Sequence, residues 1–105
     1  MERLFVKTYC FDIDGTICTI SVADYNFAEP YIDRIKQIND LYDKGNKIIF
    51  NTARGFETGI DWSDLTHYQL KEWGVKYHSL HFSKPAADYY IDDKNIDLYS
   101  WFNNE

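Results

Sequence analysis

Acidic and hydroxyl side chains recur in this chain immediately after apolar runs. Asp12, Asp14 and Thr16 follow RLFVKTYCF, Thr52 and Arg54 follow KIIF, Lys84 follows a weaker apolar stretch, and Asp92 and Asp93 follow residues 87–91. Four carboxylates brought to one edge repel each other strongly unless a cation neutralises them. Hard oxygen ligands of this kind suit Mg2+, which keeps several waters and is commonly shared with a substrate phosphate. The Thr52 hydroxyl and the Lys84 ammonium are then the groups to hold a phosphoryl oxygen.

Each position also has a plain structural reading. Asp12 and Asp14 around Ile13 can form a solvated turn closed by Gly15, and Thr52 can simply end a strand. A lysine such as Lys84 is by itself most often a surface residue. Asp93 and Asp97 can be favourable charges at a helix N-terminus, and Arg54 either binds substrate or faces water. An acidic pair directly after an apolar strand, with the other polar residues at strand ends, favours the chemical reading.

For these residues to meet, the apolar runs must be neighbouring strands. Residues 3–11 read as a largely buried strand through Leu4, Phe5, Val6, Tyr9, Cys10 and Phe11. Pro30 opens a helix that runs to about Lys44, because Tyr31, Ile32, Ile35, Ile38, Leu41 and Tyr42 recur at threes and fours; Gly45 stops it. Residues 47–50 form a second strand. Ser63 caps a helix over 64–73 with Leu65, Tyr68 and Trp73 inward and Gly74 as its stop. Val75, Tyr77, Leu80 and Phe82 suggest a third strand, residues 87–91 a fourth, and Asn95 caps a last helix over 96–102.

The order β-α-β-α-β-β-α predicts an α/β domain with a mainly parallel sheet and right-handed crossovers. In such sheets ligands bind outside the carboxyl ends of the strands. One joint is strained: strands three and four lie about five residues apart, whereas a parallel crossover takes a dozen or more. Either the third strand is short or displaced, or a second chain completes the fold.

Composition bounds the rest. The 105 residues, 45% hydrophobic and 27% charged, read as one globular domain over 1–105. Eleven basic against 17 acidic residues give a formal net charge of -6, which argues against nucleic acid as a partner and leaves room for a small phosphorylated ligand in a local positive pocket. The first apolar run is broken by Lys7, Asp12 and Asp14, so neither a membrane span nor a signal peptide is expected, and the chain reads as cytoplasmic. Cys10 and Cys18 fit no metal spacing and read as reduced packing thiols rather than a disulfide. His67, His78 and His81 form no metal set with one another; His81 lies close enough to Lys84 in sequence to line the site, with a loop or core role preferred. Tyr25, Phe27, Phe56 and Trp62 fall in the loops flanking the site; packing or a subunit contact is preferred for them over stacking on a sugar or base.

FDIDGT, IIFNTAR, the lysine of SKP and YYIDD, in that order and each at an expected strand end, resemble the haloacid dehalogenase superfamily of phosphohydrolases over about residues 4–97. The resemblance implies a three-layer, Rossmann-like core. It makes Asp12 the nucleophile that forms an aspartyl-phosphate and Asp14 the general acid and base. Mg2+ would be held by the Asp12 carboxylate, the Asp14 backbone carbonyl and Asp92, with Asp93 as an alternative or outer ligand. Thr52 and Lys84 would hold the equatorial oxygens, with Thr16 and Arg54 among the phosphate- or substrate-binding residues, and Gly15 would permit the turn that brings backbone N–H groups toward the phosphate.

The intervals between motifs are too short for the inserted cap domain of many family members, so this is a capless minimal core. By similarity, small capless members act on large substrates or use a neighbouring subunit as cover, and look like phosphatases of sugar or capsular polysaccharide biosynthesis. No helix is expected between Lys84 and Tyr89, where the usual core has one; the apolar surface thus exposed invites a homo-oligomer. The expected activity is Mg2+-dependent hydrolysis of a phosphomonoester on a sugar or related metabolite. The alternatives are a receiver-like phospho-acceptor or phosphate-binding module, a phosphatase of nucleotide or polynucleotide ends, and a catalytically silent partner in a larger assembly.

Overall fold

The computed structural model describes residues 5–21, 24–82 and 102. The fourth strand and nearly all of the last helix expected above lie outside these residues, as do Lys84, Asp92 and Asp93. Thr8–Phe11 forms β1, Ile32–Asp43 α1, Lys47–Asn51 β2, Ser63–Glu72 α2 and Ser79–His81 β3, with a single 3-10 turn at Tyr25–Phe27. β2 lies between β1 and β3 and is parallel to both, with Phe11 opposite Phe50 and Asn51 opposite His81. The chain is an α/β protein built on a parallel sheet. Among the described residues, no helix is long and apolar enough to cross a membrane.

The core follows from two periodicities meeting. Ile48 and Phe50 are two residues apart on β2, so they share one face of the sheet, and both are fully buried. Ile35 and Ile38 of α1 and Leu70 of α2 join them in one cluster, together with Ile13, Ile17 and Cys18 from the turn after β1. Phe102 reaches the same cluster and packs against Phe11, ring centroids 6.5 Å apart.

Both helices stop where glycine was expected to stop them. Asn46 N–H bonds to the Leu41 carbonyl and Gly45 N–H to that of Tyr42; Val75 and Gly74 repeat the pattern on Leu70 and Lys71. These are paired Schellman ends, with the glycine in the left-handed region. The helix starts differ from expectation. Tyr31 N–H donates to the Ile17 carbonyl at 2.7 Å and Thr19 N–H to that of Glu29 at 2.9 Å, so the chain is still paired at Pro30 and turns helical only from Ile32. Ser63 is the first residue of α2 rather than its cap; the Asp61 carboxylate just before the helix accepts from its N–H and hydroxyl.

β1 is shorter than residues 3–11 and alternates between exposed and half-buried positions, so it is not the largely buried strand expected. β3 is also short. Val75 is used to close α2, and Tyr77 meets Phe50 edge-on at 5.9 Å, which leaves only Ser79–His81 to pair. His78 extends this ladder with its side chain: Nδ1 accepts from the buried Ile48 N–H at 3.0 Å, while the ring stacks on Tyr42 at 4.6 Å. His78→Phe keeps an aromatic ring there and strands that N–H. The expected loss is about 1–3 kcal/mol in urea unfolding; an unchanged midpoint would show that the bond is dispensable.

Candidate active site

The parallel register brings the two polar motifs to one edge. Asp12 follows β1 directly and Thr52 follows the adjacent β2, both at the carboxyl end of the sheet. Asp12 is exposed, and its Oδ1 accepts from Ile13 N–H at 3.2 Å. Between Ile13 and Cys18 the chain doubles back tightly: Thr16 and Ile17 N–H both reach the Ile13 carbonyl at 3.0 Å, and Gly15 N–H reaches that of Cys18 at 2.8 Å. Gly15 has a φ of +82°, open to glycine and strained for other residues. The N–H groups of Gly15, Thr16 and Ile17 are therefore engaged inside the turn. Thr16 is buried.

Thr52 is also buried. Its N–H donates to the His81 carbonyl at 2.9 Å, tying it to β3, and its Oγ1 accepts from Arg54 N–H at 3.2 Å. This bond turns the chain inward just after β2 and sends the Arg54 side chain under the Asp12–Cys18 turn. The guanidinium grips Asp14 with two parallel bonds, Nε to Oδ2 at 2.9 Å and Nη2 to Oδ1 at 2.8 Å. Its remaining nitrogen, Nη1, donates to Thr66 Oγ1 at 3.1 Å and Gln69 Oε1 at 2.6 Å on α2. The Tyr25 ring covers the cation face, 4.5 Å from Cζ to the ring centroid. Such planar pairing is what lets a guanidinium stay charged out of water.

This buried cation explains which face α2 turns inward. Thr66, Gln69 and Leu70 are buried, whereas Tyr68 is 60% exposed and Leu65 only half-buried, so the expected inward face of Leu65, Tyr68 and Trp73 is corrected in its first two members; Trp73 is half-buried and packs against the core. A strictly apolar stripe could not satisfy the guanidinium, so Thr66 and Gln69, three residues apart, take that face. Gln69 Nε2 also donates to the Tyr25 carbonyl at 2.6 Å, and Tyr25 meets Trp62 edge-on at 5.0 Å. Packing is therefore the observed use of Tyr25 and Trp62. Phe27 and Phe56 are exposed.

Sequence reasoning missed Thr66, Gln69 and Arg34. Arg34 of α1 donates from Nη1 to the carbonyls of Gly15 and Thr16 at 3.3 and 3.2 Å, holding the turn from its far side. The available signal was polar residues set into apolar helical stripes. Of the histidines, His67 Nδ1 lies 3.2 Å from Tyr77 Oη and His81 Nε2 lies 3.2 Å from Ser79 Oγ.

Electrostatics in this cluster follows burial. Neither cysteine is in a disulfide; Cys10 is exposed, while Cys18 is buried with its thiol 3.5 Å from Asp14 Oδ1. Burial first, then the Asp14 charge, pushes the Cys18 thiol from 9.0 up to about 12. Burial also raises the Tyr25 phenol, with Asp14 contributing. Because Cys18 holds its proton more tightly folded than unfolded, its stabilisation is complete below about pH 9 and is lost as pH rises toward 12. Within that window the wild type should lose up to about 1.4 kcal/mol of stability per pH unit through this thiol. Cys18→Ala should remove that part of the slope in unfolding measured across the window; an identical slope would contradict the assignment.

Among the described residues, no three His, Cys, Asp or Glu side chains gather as a metal set. No family model matches the chain, and no curated protein matches it. Among solved structures, a structural-genomics target from Vibrio cholerae superposes with a TM-score of 0.78 at 24% identity, covering 90% of this chain and 86% of its own. The chain therefore shares its fold with a solved protein.

Proposed function

We propose that the chain is a capless, three-layer phosphohydrolase of haloacid dehalogenase type that cleaves a phosphomonoester of a sugar or related small metabolite. The observation that carries this reading is the edge itself: exposed Asp12 directly after β1, Asp14 two residues on, and Thr52 after the neighbouring parallel strand. That edge is where open α/β sheets receive ligands. An Asp12 oxygen attacks phosphorus in line, the bond to the leaving oxygen breaks as Asp14 gives that oxygen its proton, and an aspartyl-phosphate forms. Water then attacks phosphorus, the bond to Asp12 breaks, and Asp14 takes the proton from that water.

Asp12 and the Asp14 backbone carbonyl are hard oxygen donors and suit Mg2+; Asp92 would complete the set, with Asp93 as an alternative or outer ligand. Bound there, Mg2+ would let carboxylate and phosphate approach each other. Thr52 and Lys84 would hold the phosphoryl oxygens. A cytoplasmic setting and a homo-oligomer belong to this reading, the first supported by Lys7, Asp12 and Asp14, which break the first apolar run, and the second by exposed Ile20, Phe27, Phe56 and Ile60. A link to capsular polysaccharide synthesis rests on the motif resemblance.

The test is inorganic phosphate release from sugar phosphates, nucleotides and p-nitrophenyl phosphate, with Mg2+ or EDTA, for wild type and Asp12→Asn. Metal-dependent release that requires Asp12 supports the hydrolase. Release indifferent to Asp12, or none across the panel, counts against it.

A further inference from the structure

Arg54 carries a charge with no exposed side chain, in a loop beside the site, and its orientation decides what it can do. Its side chain is 0% exposed while that of Asp14 is 20% exposed. A guanidinium has five N–H donors. Nε, Nη1 and Nη2 are each engaged, on Asp14, Thr66 and Gln69, with Cys18 Sγ 3.9 Å from Nη2. Tyr25 covers one face. A substrate phosphate has no donor of Arg54 to reach without dismantling this network.

The same bonds define what Asp14 can do. A carboxylate has about four acceptor directions. Oδ1 receives Arg54 Nη2 and the Cys18 thiol, and Oδ2 receives Arg54 Nε. Counted over the described residues, one direction remains, on Oδ2, in a side chain that still meets solvent. That open Oδ2 direction is where a water molecule can present its proton to Asp14.

We infer that Arg54 is the positioning residue of the site rather than a phosphate ligand: it fixes Asp14 as the acceptor that drives hydrolysis of the aspartyl-phosphate. This rests on the hydrolase reading above. In the step concerned, the water oxygen bonds to phosphorus, the P–O bond to Asp12 breaks and returns Asp12 as a carboxylate, and the water proton passes to Asp14 Oδ2. Arg54 touches none of the reacting atoms and acts only through Asp14.

The experiment separates formation of the intermediate from its decay. Asp12 is loaded from acetyl phosphate or p-nitrophenyl phosphate with Mg2+, quenched at intervals and assayed for acyl phosphate. The proteins compared are wild type, Arg54→Lys, Arg54→Gln, Asp14→Asn and the Arg54→Gln/Asp14→Asn double variant. Decay is expected to slow about a hundredfold in Arg54→Gln and Asp14→Asn, with formation altered less than about threefold. The double variant should be no slower than Asp14→Asn, because the two residues act as a unit. Arg54→Lys should recover little, since one ammonium cannot reproduce the planar fork.

Melting curves in the same buffer identify variants that fail to fold. Should Arg54→Gln be one of them, Arg54→Lys and the neutral double variant decide. Decay at the wild-type rate in the Arg54 variants, or a loss confined to formation or KM, overturns the inference and leaves the hydrolase reading standing. Absence of phosphate on Asp12 in every protein, Asp14→Asn included, or a wild type that keeps it for hours, overturns both.

Discussion

Asp12→Asn is expected to lower metal-dependent phosphate release by about a thousandfold or more while moving the melting temperature only by about the 4–8 °C that 1 kcal/mol represents in a domain of this size. The kinetic loss follows from the proposed chemistry, because a neutral amide oxygen is a poor nucleophile toward phosphorus and gives no aspartyl-phosphate. The small effect on stability follows from position. Asp12 is exposed, and the bond its Oδ1 accepts from Ile13 N–H is one an amide oxygen also accepts. Steady-state release and thermal unfolding on the same preparation check both halves. Retained activity would remove Asp12 from the mechanism, and a collapse in melting temperature would make it structural.

Asp14→Ala should do something different although it lies only two residues away. It removes the two bonds that neutralise Arg54 and leaves a buried cation with no carboxylate, held by the neutral partners Thr66, Gln69, Cys18 and the Tyr25 ring. Removing one partner of a buried ion pair costs about 3–5 kcal/mol. The low end, about 3 kcal/mol, applies here because a fifth of the Asp14 side chain meets water. Asp14→Leu/Arg54→Met, which removes both charges and keeps volume, should recover most of that loss in urea unfolding. If the double variant is as unstable as Asp14→Ala, the fork contributes shape rather than charge compensation.

The sequence was most legible where periodicity or glycine chemistry left one option. Ile35 and Ile38 repeat at helical spacing and KIIF is a short apolar run, and both became core. Gly45 and Gly74 ended their helices because only glycine takes the left-handed turn there without strain. The N-terminal boundaries were less legible, since the carbonyls of Ile17 and Glu29 and the side chain of Asp61 come from outside the helices. The clustering of Asp12, Asp14 and Thr52 could be read from strand ends. The inward turn of Arg54 could not: it depends on Thr66 and Gln69 across the site, and on an ion pair between residues 40 apart in the chain.

The Arg54 network also bears on the order of assembly. Its bonds join residue 54 to residues 14, 66 and 69, and the Gln69–Tyr25 bond spans 44 positions. Contacts so distant incur loop-closure entropy before they return any stabilisation. A nascent chain that has formed β1, α1 and β2 still lacks α2, and therefore lacks Thr66 and Gln69, the partners of Nη1. The cation can pair with Asp14 before then, but it is not fully enclosed until α2 docks, so the site is completed after the sheet it stands on has begun to form.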